Sequence, residues 1–215
     1  MTPRGTSGGE CLTSRMGAGF PSSEIRCTRL MQRARMVGVE ARPRSHHDLR
    51  MSGRAEIRIA VAPDVAYAAV ADLRRMGEWS PENCGGEWID VPAEGAVGAQ
   101  FRGINRDPRE EWETISTVIE AERGRRFAFR VAAPGEGGTT WRYTFEADAR
   151  GTIVVETFEW HWTPLPNEGF RGRVGKMPLD EAAAAVAAKE RHLQEQLDAT
   201  LAALKRSLEA APHAP

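Results

Sequence analysis

The sequence predicts an α+β domain in which a curved sheet of seven antiparallel strands wraps around one long C-terminal helix, with two short helices after the first strand. Three observations carry this expectation. All six tryptophans and both tyrosines lie between Tyr67 and Trp162, so the side chains that build a large core are confined to the middle of the chain. Segments of alternating apolar and polar residues recur from Arg54 to Trp162, separated by short clusters of Gly, Pro and Asp that suit hairpins and hence antiparallel neighbours. From Asp180 the period becomes helical, with Val186, Leu193, Leu197, Leu201, Leu204 and Leu208 on one stripe.

Residues 54 to 61 alternate Ile57, Ile59 and Val61 with Glu56, Arg58 and Ala60, the period of a strand with one buried face. Ala62-Pro63-Asp64 supplies a turn and cap, after which Ala66, Ala69, Val70 and Leu73 share one face of a short helix. A second helical turn over 74 to 79 is stopped by Ser80-Pro81, because a residue before proline is driven out of the α region. The link EWSPENCGGEW, Glu78 to Trp88, then releases the chain through Gly85 and Gly86 into a strand over 86 to 91. Further strands are expected over 99 to 105, 112 to 120, 126 to 131, 140 to 146 and 152 to 162.

In the last segment Asp180 suits the N-cap and Glu181 the first turn, where a carboxylate meets the positive end of the helix dipole. An amphipathic helix of roughly seven or eight turns after such a sheet has one obvious docking place, the concave face. Residues 182 to 188 are almost all alanine, and small side chains there are expected to leave space between helix and sheet.

The first fifty residues carry nine arginines against four acids and no tryptophan or tyrosine. Such composition lacks the apolar content that offsets the entropy of ordering, so residues 1 to 52 are expected to be a disordered Arg/Gly/Ser-rich tail, with 53 to 209 the domain and 210 to 215 a disordered end. The tail is alternatively an RNA-binding or membrane-surface arm, or the product of an upstream start with Met31, Met36 or Met51 as the true one. There is no secretory apolar segment and no run of about 20 apolar residues, which predicts a cytoplasmic protein without a transmembrane segment. Cys11 and Cys27 fall in the tail and Cys84 stands alone in the domain, which suits a reducing compartment rather than a disulfide or zinc framework.

The order of one strand, a short helical pair, six strands and a long helix resembles the START-like, helix-grip (SRPBCC) superfamily, and within it the polyketide cyclase/dehydrase and lipid-transport branch. The matching stretches are EIRIAVAPDVAYAAVADLRRMGEWSP (56 to 81), GAVGAQFRG (95 to 103), WETISTVIEAERGRRFAFRV (112 to 131), WRYTFEADARGTIVVETFEW (141 to 160) and LDATLAALKRSLE (197 to 209). The resemblance implies a sheet gripping a helix around a cavity for a hydrophobic or amphipathic small molecule. Some members of the superfamily bind lipids, polyketides, steroids or hormones, and a minority catalyse cyclisation or dehydration. The Arg/Gly-rich link around 170 to 177 departs from the usual pattern.

The strand aromatics exceed what a thin layer of helix on sheet requires, and ligand pockets are apolar with a few orienting polar groups. The expected lining is Trp79, Phe101, Trp112, Phe129, Trp141, Tyr143, Phe145, Val154, Glu156, Phe158 and Trp160. Alternation places Glu156 with Val154, Phe158 and Trp160, but both faces of that strand carry apolar residues, so a concave and a solvent-facing Glu156 both remain open. On the concave face, desolvation would raise its pKa and make it a proton donor, acceptor or ligand anchor.

His161 points to the face opposite Glu156 and reads as a strand-end surface histidine, His192 as helix surface, and Cys84 as a loop thiol with no base beside it. Cys84 and Glu82 therefore have no claim as a site, and the loop that holds them is a candidate gate to the pocket. No metal and no cofactor are expected, and no phosphate-binding glycine loop is present.

The leading functional expectation is binding, sequestration or transport of a hydrophobic small molecule, with no nucleic-acid partner for the folded domain. The alternatives are an aromatase/cyclase or dehydratase with Glu156, Tyr143 or His161 as acid/base candidates, and a regulatory module that buries another chain in the groove. A monomer and a homodimer are equally compatible with the sequence.

Overall fold

A computed structural model of the chain describes residues 42–89, 94–108, 110–131, 138–162 and 169–210. The alternating segments form seven strands: β1 (Arg50–Ile59), β2 (Asn83–Trp88), β3 (Gln100–Arg106), β4 (Glu111–Glu122), β5 (Arg126–Val131), β6 (Thr139–Asp148) and β7 (Gly151–His161). They make one antiparallel sheet in the order β1-β7-β6-β5-β4-β3-β2, a meander from β2 to β7 whose far side is closed by β1. Gly85 and Gly86 both have positive φ, and a Cβ on Gly86 would lie 1.9 Å from the Arg102 carbonyl oxygen. Only glycine fits that approach, and the pair sits inside β2 at the shift of register between Asn83 and Gly86 rather than ahead of a strand that starts at residue 86.

The register sets the rows of the concave face. One row runs Gly53, Phe158, Trp141, Phe129; the next runs Ala55, Glu156, Tyr143, Phe127; the third runs Ile57, Val154, Phe145. The helix α1 (Pro63–Ala71) starts on its proline and buries Ala66, Ala69 and Val70. Its Tyr67 ring meets Phe127 and Phe145 edge-on, which fills that end of the sheet solidly. A 3-10 turn over Leu73–Glu78 follows and buries Leu73.

The long helix is α3 (Leu179–Ala210), 32 residues, and its buried positions include Val186, Leu193, Leu197, Leu201, Leu204 and Leu208, the stripe read from the sequence. Each such leucine taken out of water stabilises the domain by about 1.5–3 kcal/mol. The same helix also caps the edge of the sheet. The Arg54 N–H donates to Gln194 Oε1 (3.2 Å) and the Gln194 amide donates back to the Arg54 carbonyl (3.1 Å). Glu190 accepts from the Ser52 N–H, Glu209 from the Ala60 N–H, and Lys205 donates to the Arg58 carbonyl. Polar side chains of α3 thereby occupy backbone groups that an edge strand otherwise presents to other chains.

Three expectations are corrected. The first strand begins at Arg50 rather than 54, a 3-10 turn spans His46–Asp48, and Leu49 and Met51 are buried, so the folded part reaches back past residue 52. Its inward positions Met51, Gly53 and Ala55 alternate with a serine and an arginine, which hid the period; residues 1–41 and 211–215 lie outside the described residues. The link around 170 to 177 contains a helix, α2 (Phe170–Gly175), with Val174 fully buried. The alanine run does not border a space: Ala182 is fully buried, and small side chains let the chain pack closely there instead. Among the described residues no helix is long and apolar enough to cross a membrane.

Candidate functional site

A cavity of about 660 Å³ lies between the concave face, α3, α2 and the 3-10 turn. It opens beyond the row of Glu156 and Tyr143, on the side away from the solid packing around Tyr67. The sheet supplies Met51, Phe101, Trp112, Phe129, Trp141, Tyr143, Glu156 and Trp160; the helical side supplies Leu73, Met76, Lys189, Leu193, Gln196, Leu197 and Thr200; Phe170 and Arg171 come from α2.

Of the residues singled out in the sequence, Phe101, Trp112, Phe129, Trp141, Tyr143, Glu156 and Trp160 are brought together in the wall of this cavity. Phe145 and Val154 instead pack under α1, one row further down the sheet. Phe158 is fully buried beside Trp141 (ring centroids 5.3 Å apart), in space that Gly53 leaves open: a Cβ there would lie 2.4 Å from its ring. Trp79 is buried outside the cavity wall with the Arg75 guanidinium 5.4 Å from its ring centre, so it holds the helical pair down rather than shaping the pocket. His161 and Cys84 are exposed and away from the cavity. Among the described residues no cluster of three or more His, Cys, Asp and Glu could hold a metal ion.

Glu156 faces the concave side and is 3% exposed. It is the register partner of Tyr143, whose hydroxyl donates to Glu156 Oε1 at 2.5 Å; the other oxygen, Oε2, is buried with no partner. Desolvation pushes the Glu156 carboxyl up to about 8, against a smaller downward pull from the Tyr143 hydrogen bond. Burial, with Glu156 beside it, likewise lifts Tyr143 well above the ordinary tyrosine range. At neutral pH the pair is thus a neutral carboxylic acid braced by a neutral phenol, a donor and acceptor rather than a charge.

Several polar groups of the wall were not found in the sequence. Arg171 is 8% exposed with its guanidinium 5.1 Å over the Trp160 ring, and burial draws its pKa down. Lys189 lies 3.7 Å from Glu82, which lines the cavity and so regains the place denied to it above. The EWSPENCGGEW link supplies a polar end through Ser80, Glu82 and Asn83. There the Asn83 amide donates to Asn105 (3.1 Å) and the Asn105 amide to Thr114 (3.0 Å), while Ser80 Oγ accepts from the Asn83 N–H. The one available signal was a helical one: Lys189, Gln196 and Thr200 recur at spacings that place them beside the leucine stripe.

No curated protein sequence matches the chain. Among solved structures, a polyketide-cyclase-like protein of Corynebacterium glutamicum is 32% identical over 77% of this chain and 98% of that one, with a TM-score of 0.49. The di-domain ARO/CYC protein StfQ from the steffimycin biosynthetic pathway shares the fold at 18% identity and TM-score 0.56, over 77% of this chain and 52% of that one. A START superfamily protein of Mycobacterium smegmatis does so at 13% identity and TM-score 0.50, over 74% and 98% of the two chains. The family profile described as polyketide cyclase/dehydrase and lipid transport matches residues 31–209. With its seven-stranded sheet gripping a long C-terminal helix, the chain belongs to the polyketide cyclase/dehydrase and lipid-transport family of the START-like, helix-grip fold.

Proposed function

We propose that the domain binds a hydrophobic or amphipathic small molecule, lipid or polyketide-like, between the sheet and α3, and sequesters or carries it in the cytoplasm. The make-up of the cavity supports this reading. Its volume of about 660 Å³ falls within the roughly 300–1,000 Å³ of ligand pockets, and its aromatic and aliphatic wall carries a few placed polar groups. Native mass spectrometry and solvent extraction of freshly purified protein test it directly. A co-purifying apolar molecule at one per chain is the expected result; a ligand-free mass that persists after challenge with fatty acyl and polycyclic aromatic compounds would contradict it.

A second reading, an aromatase/cyclase or dehydratase, is supported by one observation: the buried Glu156–Tyr143 pair is an acid within reach of the cavity. Product masses after incubation of a polyketide-like compound with wild type and Glu156→Gln separate the readings. Turnover by wild type that disappears in the variant supports catalysis, and unchanged turnover removes Glu156 as its acid or base.

A further inference from the structure

We propose that Glu156 selects the ligand by its oxygen chemistry: Oε2 donates a hydrogen bond to a carbonyl oxygen of a neutral apolar molecule, in preference to the matching hydrocarbon or carboxylate. The inference rests on the cavity being a ligand site, and adds what the ligand must carry. Tyr143, the cross-strand partner of Glu156, occupies Oε1 as a donor, so a proton on the carboxyl belongs on Oε2. Oε2 is buried and has no partner, in a residue that lines the cavity. Buried polar atoms in folded proteins are paired, because an unmade hydrogen bond forfeits its desolvation cost without return. A ligand oxygen is the partner this position lacks.

The groups around the carboxyl favour a neutral partner. Ala55 is its register neighbour on β1 and Tyr143 on β6. The charged groups of the wall are Glu82 ahead of β2, Arg171 on α2 and Lys189 on α3; Lys189 lies against Glu82 and Arg171 over Trp160, and burial rather than a charge dominates the Glu156 environment. With its carboxyl held up to about 8, Glu156 is protonated at neutral pH and offers a donor. A ligand carboxylate placed there would be a second acid in the same desolvated site. On α3, Gln196 also lines the cavity with its Oε1 buried and unpartnered, which marks a second position where a ligand polar group is accommodated.

The test compares 2-acetylanthracene, 2-ethylanthracene and anthracene-2-carboxylate by fluorescence titration of wild type, Glu156→Gln and Glu156→Leu at pH 6.5 and 9.5. A single neutral hydrogen bond predicts that wild type at pH 6.5 binds the ketone about fivefold to tenfold more tightly than the ethyl compound. That preference should vanish at pH 9.5, where Glu156 ionises and Oε2 becomes an acceptor. It should persist at both pH values in Glu156→Gln, whose amide still accepts from Tyr143 and donates toward the ligand, and be absent at both in Glu156→Leu. Equal binding of the two neutral probes by wild type at pH 6.5 overturns the proposal and leaves the binding function standing. Tighter binding of the carboxylate also overturns it, in favour of the cationic wall. Failure of all three probes to bind overturns both.

Discussion

Tyr143 and Glu156 stand opposite each other on β6 and β7, and the phenol donates to the carboxyl at 2.5 Å in the row where the solid core gives way to the cavity. A carboxyl group in such a place destabilises the fold whenever it is charged. Its folded-state pKa of about 8 lies above the ordinary 4.5, so the folded chain holds a proton that the unfolded chain releases. Stability from this group is therefore complete below about pH 4.5 and is lost progressively as pH rises to about 8. Glu156→Gln removes the titration, and urea denaturation should show the variant gaining on wild type from pH 5 to pH 8.5 by roughly 3 to 5 kcal/mol, at about 1.4 kcal/mol per pKa unit. A difference between the two that does not change with pH would contradict the burial argument.

Tyr143→Phe keeps the ring and removes the donor. Glu156 Oε1 is then left unpartnered as well, at a cost of about 1–3 kcal/mol. The lost hydrogen bond was the downward influence on Glu156, so its pKa should rise further. Carbon-detected NMR titration of the Glu156 carboxyl checks this; a fall in pKa would mean that Tyr143 does not brace it.

The capping of β1 by α3 predicts a backbone effect from a side-chain change. Gln194→Ala removes both hydrogen bonds to Arg54 and should cost about 1–2 kcal/mol, discounted for exposure, since net hydrogen bonds are worth about 1 kcal/mol each. Amide exchange at Arg54 should accelerate. An unchanged exchange rate would show that the edge is protected by other means.

Core and wall aromatics should separate in a paired experiment. Phe158 is fully buried and outside the cavity, so Phe158→Ala should lower stability by about 3–5 kcal/mol. Trp112 is only partly buried and faces the cavity, so Trp112→Ala should cost about 1 kcal/mol and instead weaken binding of a polycyclic probe. Denaturation and probe titration on both variants check the split; comparable stability losses would erase the distinction.

The fold was legible because its signals are periodic: alternation gave the seven strands and the leucine stripe gave α3 and its buried face. Where side-chain period was weak, as in the serine- and arginine-spaced start of β1 or the glycine-rich α2, reading failed at the boundary or missed the element. Glu156 was ambiguous for a physical reason, since both faces of β7 carry apolar residues and only pairing with β6 and β1 decides which is concave. Phe145, Val154 and Phe158 share that concave face but not the cavity, because α1 and Gly53 decide where packing closes, and neither can be placed along the rows by alternation alone. Arg171, Lys189 and Glu82 line one cavity from three separate segments, with Lys189 set against Glu82, an arrangement no local pattern carries.

The most direct measurement follows the six indole N–H signals in a proton–nitrogen NMR spectrum while 2-acetylanthracene is added. Trp112, Trp141 and Trp160 line the cavity, whereas Trp79, Trp88 and Trp162 do not. Binding in the cavity predicts that the first three signals move with a common saturation curve while the others hold still. An unchanged spectrum, or shifts confined to Trp79, Trp88 and Trp162, would contradict a ligand site between the sheet and α3.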